Sequence, residues 1–372
     1  MINRRFMIYY LAHSDWILFN SRKEIASKLK DLNYKVSAIT TNGKYIDELM
    51  IHFDNFYEWE VDKFSLIDIS GVRNLRNNLK KLNEGDFLHI FTLKSGLYAL
   101  FSMHFLTKKF KIVLSITGLG YLFSKGIKSM VMRNILRFYM KFFFNRKIDH
   151  LIFQNHKDQK ILLNYLDFKN ESSLIRGSGL NLQNFTTKDK ANNKDDSPTK
   201  IIMCCRLLKD KGIDEYFKLS SMIDDDNFKF YLAGDVDLGN PSSYSKNEIN
   251  KLTEKYGIEY LDWIDTPKEL KNFDISICMS YHEGLPRVVL ESLFIGLYTI
   301  SNNLPGLRPI FDTKENGKLI HENNLEEFKQ AIIDYPKIDN HDERTIYSRK
   351  KMKNNFSTEK ILDEFVNVYK KL

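Results

Sequence analysis

Cysteine is scarce in this 372-residue chain: Cys204, Cys205 and Cys278 are the full set, and their spacing frames neither a disulfide network nor a metal site. Two of them are adjacent inside an apolar run, which fits buried, reduced thiols in a reducing compartment. Long apolar runs are lacking too. The best stretch, GLYALFSMHFL at 96–106, is followed by Lys108 and Lys109 and falls short of the about 18 residues a spanning helix needs. The amino-terminal MINRRFMIYYLAHSDW starts basic, but His13 and Asp15 cut its apolar run, so a first β-strand accounts for it better than a signal peptide. A cytoplasmic protein that does not span a membrane is expected. There is no short-period repeat, no long low-complexity tract and no nucleic-acid-binding motif. Asp224–Asp226 sit in polar loop sequence with no strand context and make no convincing metal cluster.

What is present is enough apolar sequence, 43% hydrophobic and 13% aromatic, for sizeable cores. At this length two domains of roughly 150–200 residues are expected. The net charge is +8, with a pI near 9.0. Acid is missing altogether from 124–147, where Lys125, Lys128, Arg133, Arg137, Lys141, Arg146 and Lys147 are interleaved with Phe, Met and Ile residues. Helical spacing puts Arg133, Arg137 and Lys141 on one stripe. A basic, Phe-rich amphipathic helix is the pattern of a contact with an anionic membrane surface; a core helix with a basic outer face has the same pattern.

Apolar β-rich runs alternate with helical periodicity along both halves. In the first half the strand-like runs are 5–12, 34–41, 86–92, 110–117, 150–155 and 172–179. After the polar segment 184–199, which reads as a linker, they are 200–208, 229–235, 258–263, 274–280 and 297–302. This rhythm predicts two doubly wound parallel sheets in tandem, with ligand held at the carboxyl ends of the strands.

Two segments of the second half carry chemistry at such strand ends. RLLKDKG (206–212) follows an apolar strand, and Arg206 and Lys211 suit a diphosphate, a planar fork complementing a point charge. A solvated basic turn has the same composition. SYHEGLPRVVLESLFIG (280–296) reads as strand end, loop and helix, with Pro286 at the first helical position. Gly284 allows close backbone approach, and the free amides of the first turn favour an anion. Glu283 precedes the helix and Glu291 lies inside it, on opposite sides of that anion site. Placed so, they read as hooks for the two ends of a long ligand rather than as an acid/base pair, which must converge on one bond. A capping Glu283 and a paired, half-buried Glu291 are the plainer alternative.

EGLPRVVLE resembles the Glu-x7-Glu block of the retaining nucleotide-sugar glycosyltransferases of family 4, which have the GT-B fold. RLLKDKG, FYLAGDVD (230–237), PGLRPIF (305–311) and NGKLI (316–320) agree in order. In the first half, 14–36, ITGLGYLFS (116–124), IFQNHKD (152–158) and IRGSGLNLQNF (175–185) resemble the branch that builds O-antigen, capsule and related polyprenyl-linked oligosaccharides. The resemblance implies two Rossmann-like domains facing each other across a cleft: an acceptor-side domain over 1–183, a donor-nucleotide domain over 200–350, and a carboxyl-terminal helix over 351–372 crossing back to the first. It gives Arg206 and Lys211 to the donor diphosphate and Glu283 to the transferred sugar. Gly284, Leu285, Pro286 and Arg287 form the turn that approaches sugar and phosphate, and Glu291 takes the ribose hydroxyls. Glu283, Arg206 and Lys211 are the expected catalytic set. Thr117, Gly118 and Gly120 face the donor sugar and acceptor; Thr117 stands where many members carry His.

The implied activity is retaining, metal-independent transfer of a hexose or N-acetylhexosamine from a UDP-sugar to a polyprenyl diphosphate-linked saccharide. It would occur at the inner face of the cytoplasmic membrane, with Arg133, Arg137 and Lys141 as the membrane contact. The same residues leave room for a GT-B sugar-nucleotide epimerase, or for a non-catalytic basic protein that binds membrane or nucleotide.

Overall fold

A computed structural model describes residues 6–62, 65, 68–104, 106–107, 109–119, 123, 126–188, 197–281, 283–311, 316–321, 324–338 and 340–372. The chain divides into two compact units, Met1–Gly179 with Thr358–Leu372, and Leu180–Ser357.

The first unit is built on β1 (Met7–Leu11), β2 (Lys35–Thr40), β3 (Asn55–Glu58), β4 (Phe87–Phe91), β5 (Lys111–Ile116), β6 (His150–Phe153) and β7 (Glu171–Leu174). They form one sheet in the order β3-β2-β1-β4-β5-β6-β7, with parallel ladders throughout. Parallel strands covered on both faces read as unbroken apolar runs, and every residue of β4 is buried. One covering element comes from the far end of the sequence. The helix Thr358–Lys371 buries Ile361, Phe365 and Tyr369 against Ile8, Ile25 and Leu29. His89 of β4 anchors it: Nδ1 lies 2.5 Å from the Tyr369 hydroxyl and Nε2 lies 2.7 Å from Ser115 Oγ.

The second unit carries β8 (Thr199–Cys204), β9 (Phe228–Ala233), β10 (Glu259–Tyr260), β11 (Ile275–Cys278), β12 (Tyr298–Asn302) and β13 (Gly317–Ile320). Their order is β10-β9-β8-β11-β12-β13, again all parallel. The strand expected over 258–263 pairs at two residues only, because Asp262 turns left-handed at φ 54° and ends it.

The unit boundaries fall at Leu180 and Thr358, against 184 and 351 in the sequence reading. Residues 184–188 of the expected linker run along the second unit. Thr186 and Lys188 donate backbone N–H bonds to the carbonyls of Pro267 and Ile295, and Lys188 Nζ lies 2.6 Å from Asp274 Oδ1. Residues 189–196 lie outside the described set. At the other boundary the helix His341–Phe356 buries Met352 and Phe356 in the second unit, so the chain leaves that unit only after it.

In each sheet the chain winds outward from the middle, first one way and then the other. The neighbours β1/β4 and β8/β11 are therefore topological switch points, where loops leaving the carboxyl ends diverge and open a crevice. The segments singled out in the second half leave β8 and β11.

Candidate active site

Beyond Cys204 the chain leaves β8 with Leu207 and Leu208 buried, then makes a single tight turn over Lys209–Lys211. Gly212 follows at φ 78°, and a Cβ there would stand 2.4 Å from the Met279 carbonyl oxygen. Only glycine tolerates both the left-handed backbone and that approach. The β8 turn is thereby pressed onto the chain leaving β11, and the Tyr281 N–H donates to the Asp210 carbonyl across the junction at 3.0 Å. Lys211, 8% exposed, meets Glu283 here: Nζ lies 2.7 Å from Glu283 Oε1. Burial pulls the Lys211 ammonium down, but the Glu283 charge and hydrogen bond, with Asp210 3.9 Å away, outweigh it and leave the pKa raised.

The loop carrying Glu283 is fixed from the β12 side. Asn302 donates from Nδ2 to the carbonyls of Met279 and Ser280. Gly306 packs so tightly that a Cβ would fall 1.6 Å from the Gly284 carbonyl oxygen. Leu285 packs with Cys278 and Val289 while Pro286 is buried. The helix itself runs Arg287–Ile295, with Pro286 as its extended N-cap at φ −69° and ψ 118° rather than its first residue. Glu291 thus stands in the second turn, and only 4% of it is exposed. Its two oxygens have different partners: Arg287 Nε reaches Oε1 at 2.7 Å and the Thr266 hydroxyl donates to Oε2 at 2.8 Å.

The structure therefore brings Lys211 and Glu283 together and places Glu291 in a second polar group with Arg287. Arg206 pairs with a different residue, its Nη1 lying 3.2 Å from Asp237 Oδ2, and its side chain is 42% exposed. Thr266, Asp237 and Asn302 were not read as site residues. The signal for Thr266 was its place before Pro267 at a helix start. Asp237 ends the FYLAGDVD segment without being singled out as a site residue, and no sequence pattern points to Asn302, which arrives through tertiary folding. The three thiols stay protonated: burial drives Cys204 and Cys278 upward and Cys205 to about 12.

In the first unit Thr117 and Gly118 follow β5, half-buried, and a Cβ on Gly118 would meet open space. Gly120 lies outside the described residues. At the β1/β4 switch, His13 Nδ1 lies 3.0 Å from Ser95 Oγ and 3.2 Å from Thr92 Oγ1. Thr92 caps the next helix with φ 80° and ψ 149°, a strained backbone for a β-branched residue.

The basic segment is the helix Ile127–Lys147; Lys125 and the Lys128 side chain lie outside the described set. Met140 and Phe144 anchor it in the core. Arg133 lies over the Phe123 ring, Arg137 lies over the Tyr165 ring, and Lys141 pairs with Asp167 at 3.2 Å. The outward stripe is apolar: Ile127, Val131, Ile135, Phe138 and Phe142 follow one another at three or four residues, with Phe138 83% exposed. Among the described residues no helix is long and apolar enough to cross a membrane, and no group of three metal-ligating side chains occurs.

Two doubly wound parallel-sheet units, the second with paired polar side chains at its switch point, are the architecture of the GT-B class. Two family models match: "Glycosyl transferase 4-like" over residues 7–155 and "Glycosyl transferases group 1" over 184–352. The chain belongs to the family 4 glycosyltransferases. It is 25% identical over 340 residues, 87% of this chain and 88% of the relative, to the N,N'-diacetylbacillosaminyl-diphospho-undecaprenol alpha-1,3-N-acetylgalactosaminyltransferase of Campylobacter jejuni. Over 237 residues, 59% of each chain, it is 26% identical to the UDP-Gal:alpha-D-GlcNAc-diphosphoundecaprenol alpha-1,3-galactosyltransferase of Escherichia coli. Its fold matches a glycosyltransferase from Rickettsia africae at TM-score 0.76 and 17% identity, over 99% of this chain and 98% of that one. Anabaena Alr3699/HepE, solved with UDP and glucose, matches at TM-score 0.75 and 14% identity, over 98% and 99%. The GT-B fold and the transferase class expected from the motifs are those of the chain.

Proposed function

We propose that this glycosyltransferase moves a hexose or N-acetylhexosamine from a UDP-sugar to a polyprenyl diphosphate-linked saccharide, with retention and without a metal. The observation that carries the proposal is the Lys211–Glu283 pair at the β8/β11 switch. A buried cation for phosphate and a carboxylate for sugar hydroxyls stand side by side, as the sugar–phosphate junction of a donor requires. Support comes from the names of the two relatives, both of which act on diphospho-undecaprenol acceptors, and from UDP and glucose bound to the Anabaena protein.

In this reading the acceptor hydroxyl oxygen bonds to the anomeric carbon as the bond from that carbon to the diphosphate oxygen breaks. The electron pair leaves with UDP, and the hydroxyl proton leaves on the departing diphosphate. Arg206, Lys211 and the first-turn amides of the helix Arg287–Ile295 stabilise that charge. Glu283 orients the sugar, and Gly284, Leu285, Pro286 and Arg287 form the turn beside it. Thr117, Gly118 and Gly120 belong to the acceptor side.

We also place the enzyme at the inner face of the cytoplasmic membrane through the helix Ile127–Lys147. An exposed apolar stripe on a helix whose charges are all positive favours an anionic bilayer. Arg133, Arg137 and Lys141 flank that stripe and act as its electrostatic component.

Product analysis tests the reading. A panel of UDP-sugars is incubated with and without undecaprenyl diphosphate-linked GlcNAc, in EDTA. Transfer of one sugar to lipid with its anomeric configuration kept supports it. Epimerised donor in the absence of acceptor points to an epimerase, and a panel left intact with no nucleotide bound overturns the enzyme assignment at this site.

A further inference from the structure

The pairing of Glu291 goes beyond a hook for ribose and rests on the donor reading above. A buried carboxylate has room for about four hydrogen bonds, two per oxygen. Here one position on each oxygen is filled from within the protein, Oε1 by Arg287 Nε and Oε2 by the Thr266 hydroxyl. The two donors come from different elements. Arg287 is one turn back on the same helix, whereas Thr266 opens the short helix Thr266–Glu269 beyond β10. The Thr266 segment is itself held, because the Thr186 N–H donates to the Pro267 carbonyl and the Asp265 N–H donates to Glu269 Oε1. The carboxylate is therefore fixed in rotation by two positioned donors, and each oxygen keeps one accepting direction. Two parallel acceptors fixed side by side match the vicinal 2′ and 3′ hydroxyls of a ribose.

We infer that Thr266 is a positioning residue that fixes the Glu291 carboxylate, and that it sets discrimination between ribonucleoside and 2′-deoxyribonucleoside diphosphates. It acts through Glu291 and need not touch the nucleotide. Thr266→Val keeps the shape and removes the donor. The freed Oε2 then turns toward other partners, and the gain from the 2′ hydroxyl is lost.

The test is titration calorimetry of the full chain with UDP and with 2′-deoxy-UDP. Wild type binds UDP about tenfold or more tightly than the deoxy form, the scale of one hydrogen bond to a charged group. Thr266→Val brings that ratio close to one by weakening UDP and leaving 2′-deoxy-UDP unchanged, and Thr266→Ser restores it. A merely structural role would weaken both ligands alike. A wild-type ratio in Thr266→Val, with UDP binding lost in Glu291→Ala, overturns the inference and leaves the ribose reading standing. Equal binding of the two nucleotides by wild type overturns both.

Discussion

Lys211 Nζ lies 2.7 Å from Glu283 Oε1 although the two residues are 72 positions apart. Each is assigned to a different part of the donor, and the two hold one another. The carboxylate that orients the sugar therefore also occupies the cation meant for the phosphate. Glu283→Gln is expected to keep or tighten binding of UDP, by releasing Lys211, while sugar transfer falls at least about 100-fold. Lys211→Met is expected to weaken UDP about tenfold or more, as loss of a charged donor does. Calorimetry with UDP and steady-state transfer rates separate the two effects, and loss of UDP binding in Glu283→Gln would contradict the division of roles.

The same pair has a pH signature. The Lys211 pKa is raised in the folded state, so its stabilisation is complete below the ordinary lysine value of 10.5 and is lost as pH climbs through the folded value. Stability is expected to be insensitive to Lys211→Met replacement pH by pH only above that window. Below it, wild type should unfold at higher denaturant than the variant.

Four buried or partly buried histidines respond to lower pH. Burial holds His89 well below its ordinary value of 6.5, and His52, His150 and His341 are lowered by the same cause. The unfolded chain binds these protons more readily than the native one, so stability falls as pH drops below about 6.5. His89→Gln should flatten that fall and loosen the helix Thr358–Lys371, because Tyr369 loses its partner. Denaturant midpoints between pH 7.5 and 5, with hydrogen exchange of that helix, check both parts.

Gly212 couples fold to site. Gly212→Ala sets a Cβ against the Met279 carbonyl in a left-handed backbone and should cost about 1–3 kcal/mol. The shift should separate Lys211 from Glu283, so UDP binding should weaken along with stability. A stable variant with unchanged UDP affinity would show that the turn does not set the site.

Phe138→Asp and Ile135→Asp place charge on the apolar stripe and should abolish sedimentation with vesicles that contain phosphatidylserine as the anionic lipid. Charge reversal at Arg133, Arg137 and Lys141 should weaken sedimentation and its salt dependence without abolishing it. Equal binding to neutral vesicles would remove the electrostatic part of the account.

Much of this was legible in the sequence because parallel strands buried on both faces leave unbroken apolar runs. Runs such as FLHIF and KIVLSI announce themselves, and turn residues such as Gly212 and Gly284 mark where they end. The short edge strands β3 and β13 were not read as strands, since NFYE is half exposed and GKLI is only four residues long. At the candidate site, Arg206, Lys211, Glu283 and Glu291 stand out in the sequence because each comes after a strand end. Their partners do not, because Thr266 and Asp237 come from other loops and no local pattern links them to the residues they hold. The basic helix was found from its charge, but which face points outward depends on Met140 and Phe144, whose burial is a tertiary fact.

The central claim is a UDP-sugar site at the β8/β11 switch. Calorimetric titration of UDP into wild type, Lys211→Met and Glu291→Ala tests it most directly. The account predicts saturable binding by wild type, weakened about tenfold or more in each variant with folding intact. Wild type that does not bind UDP, or variants that bind it as wild type does, would contradict it.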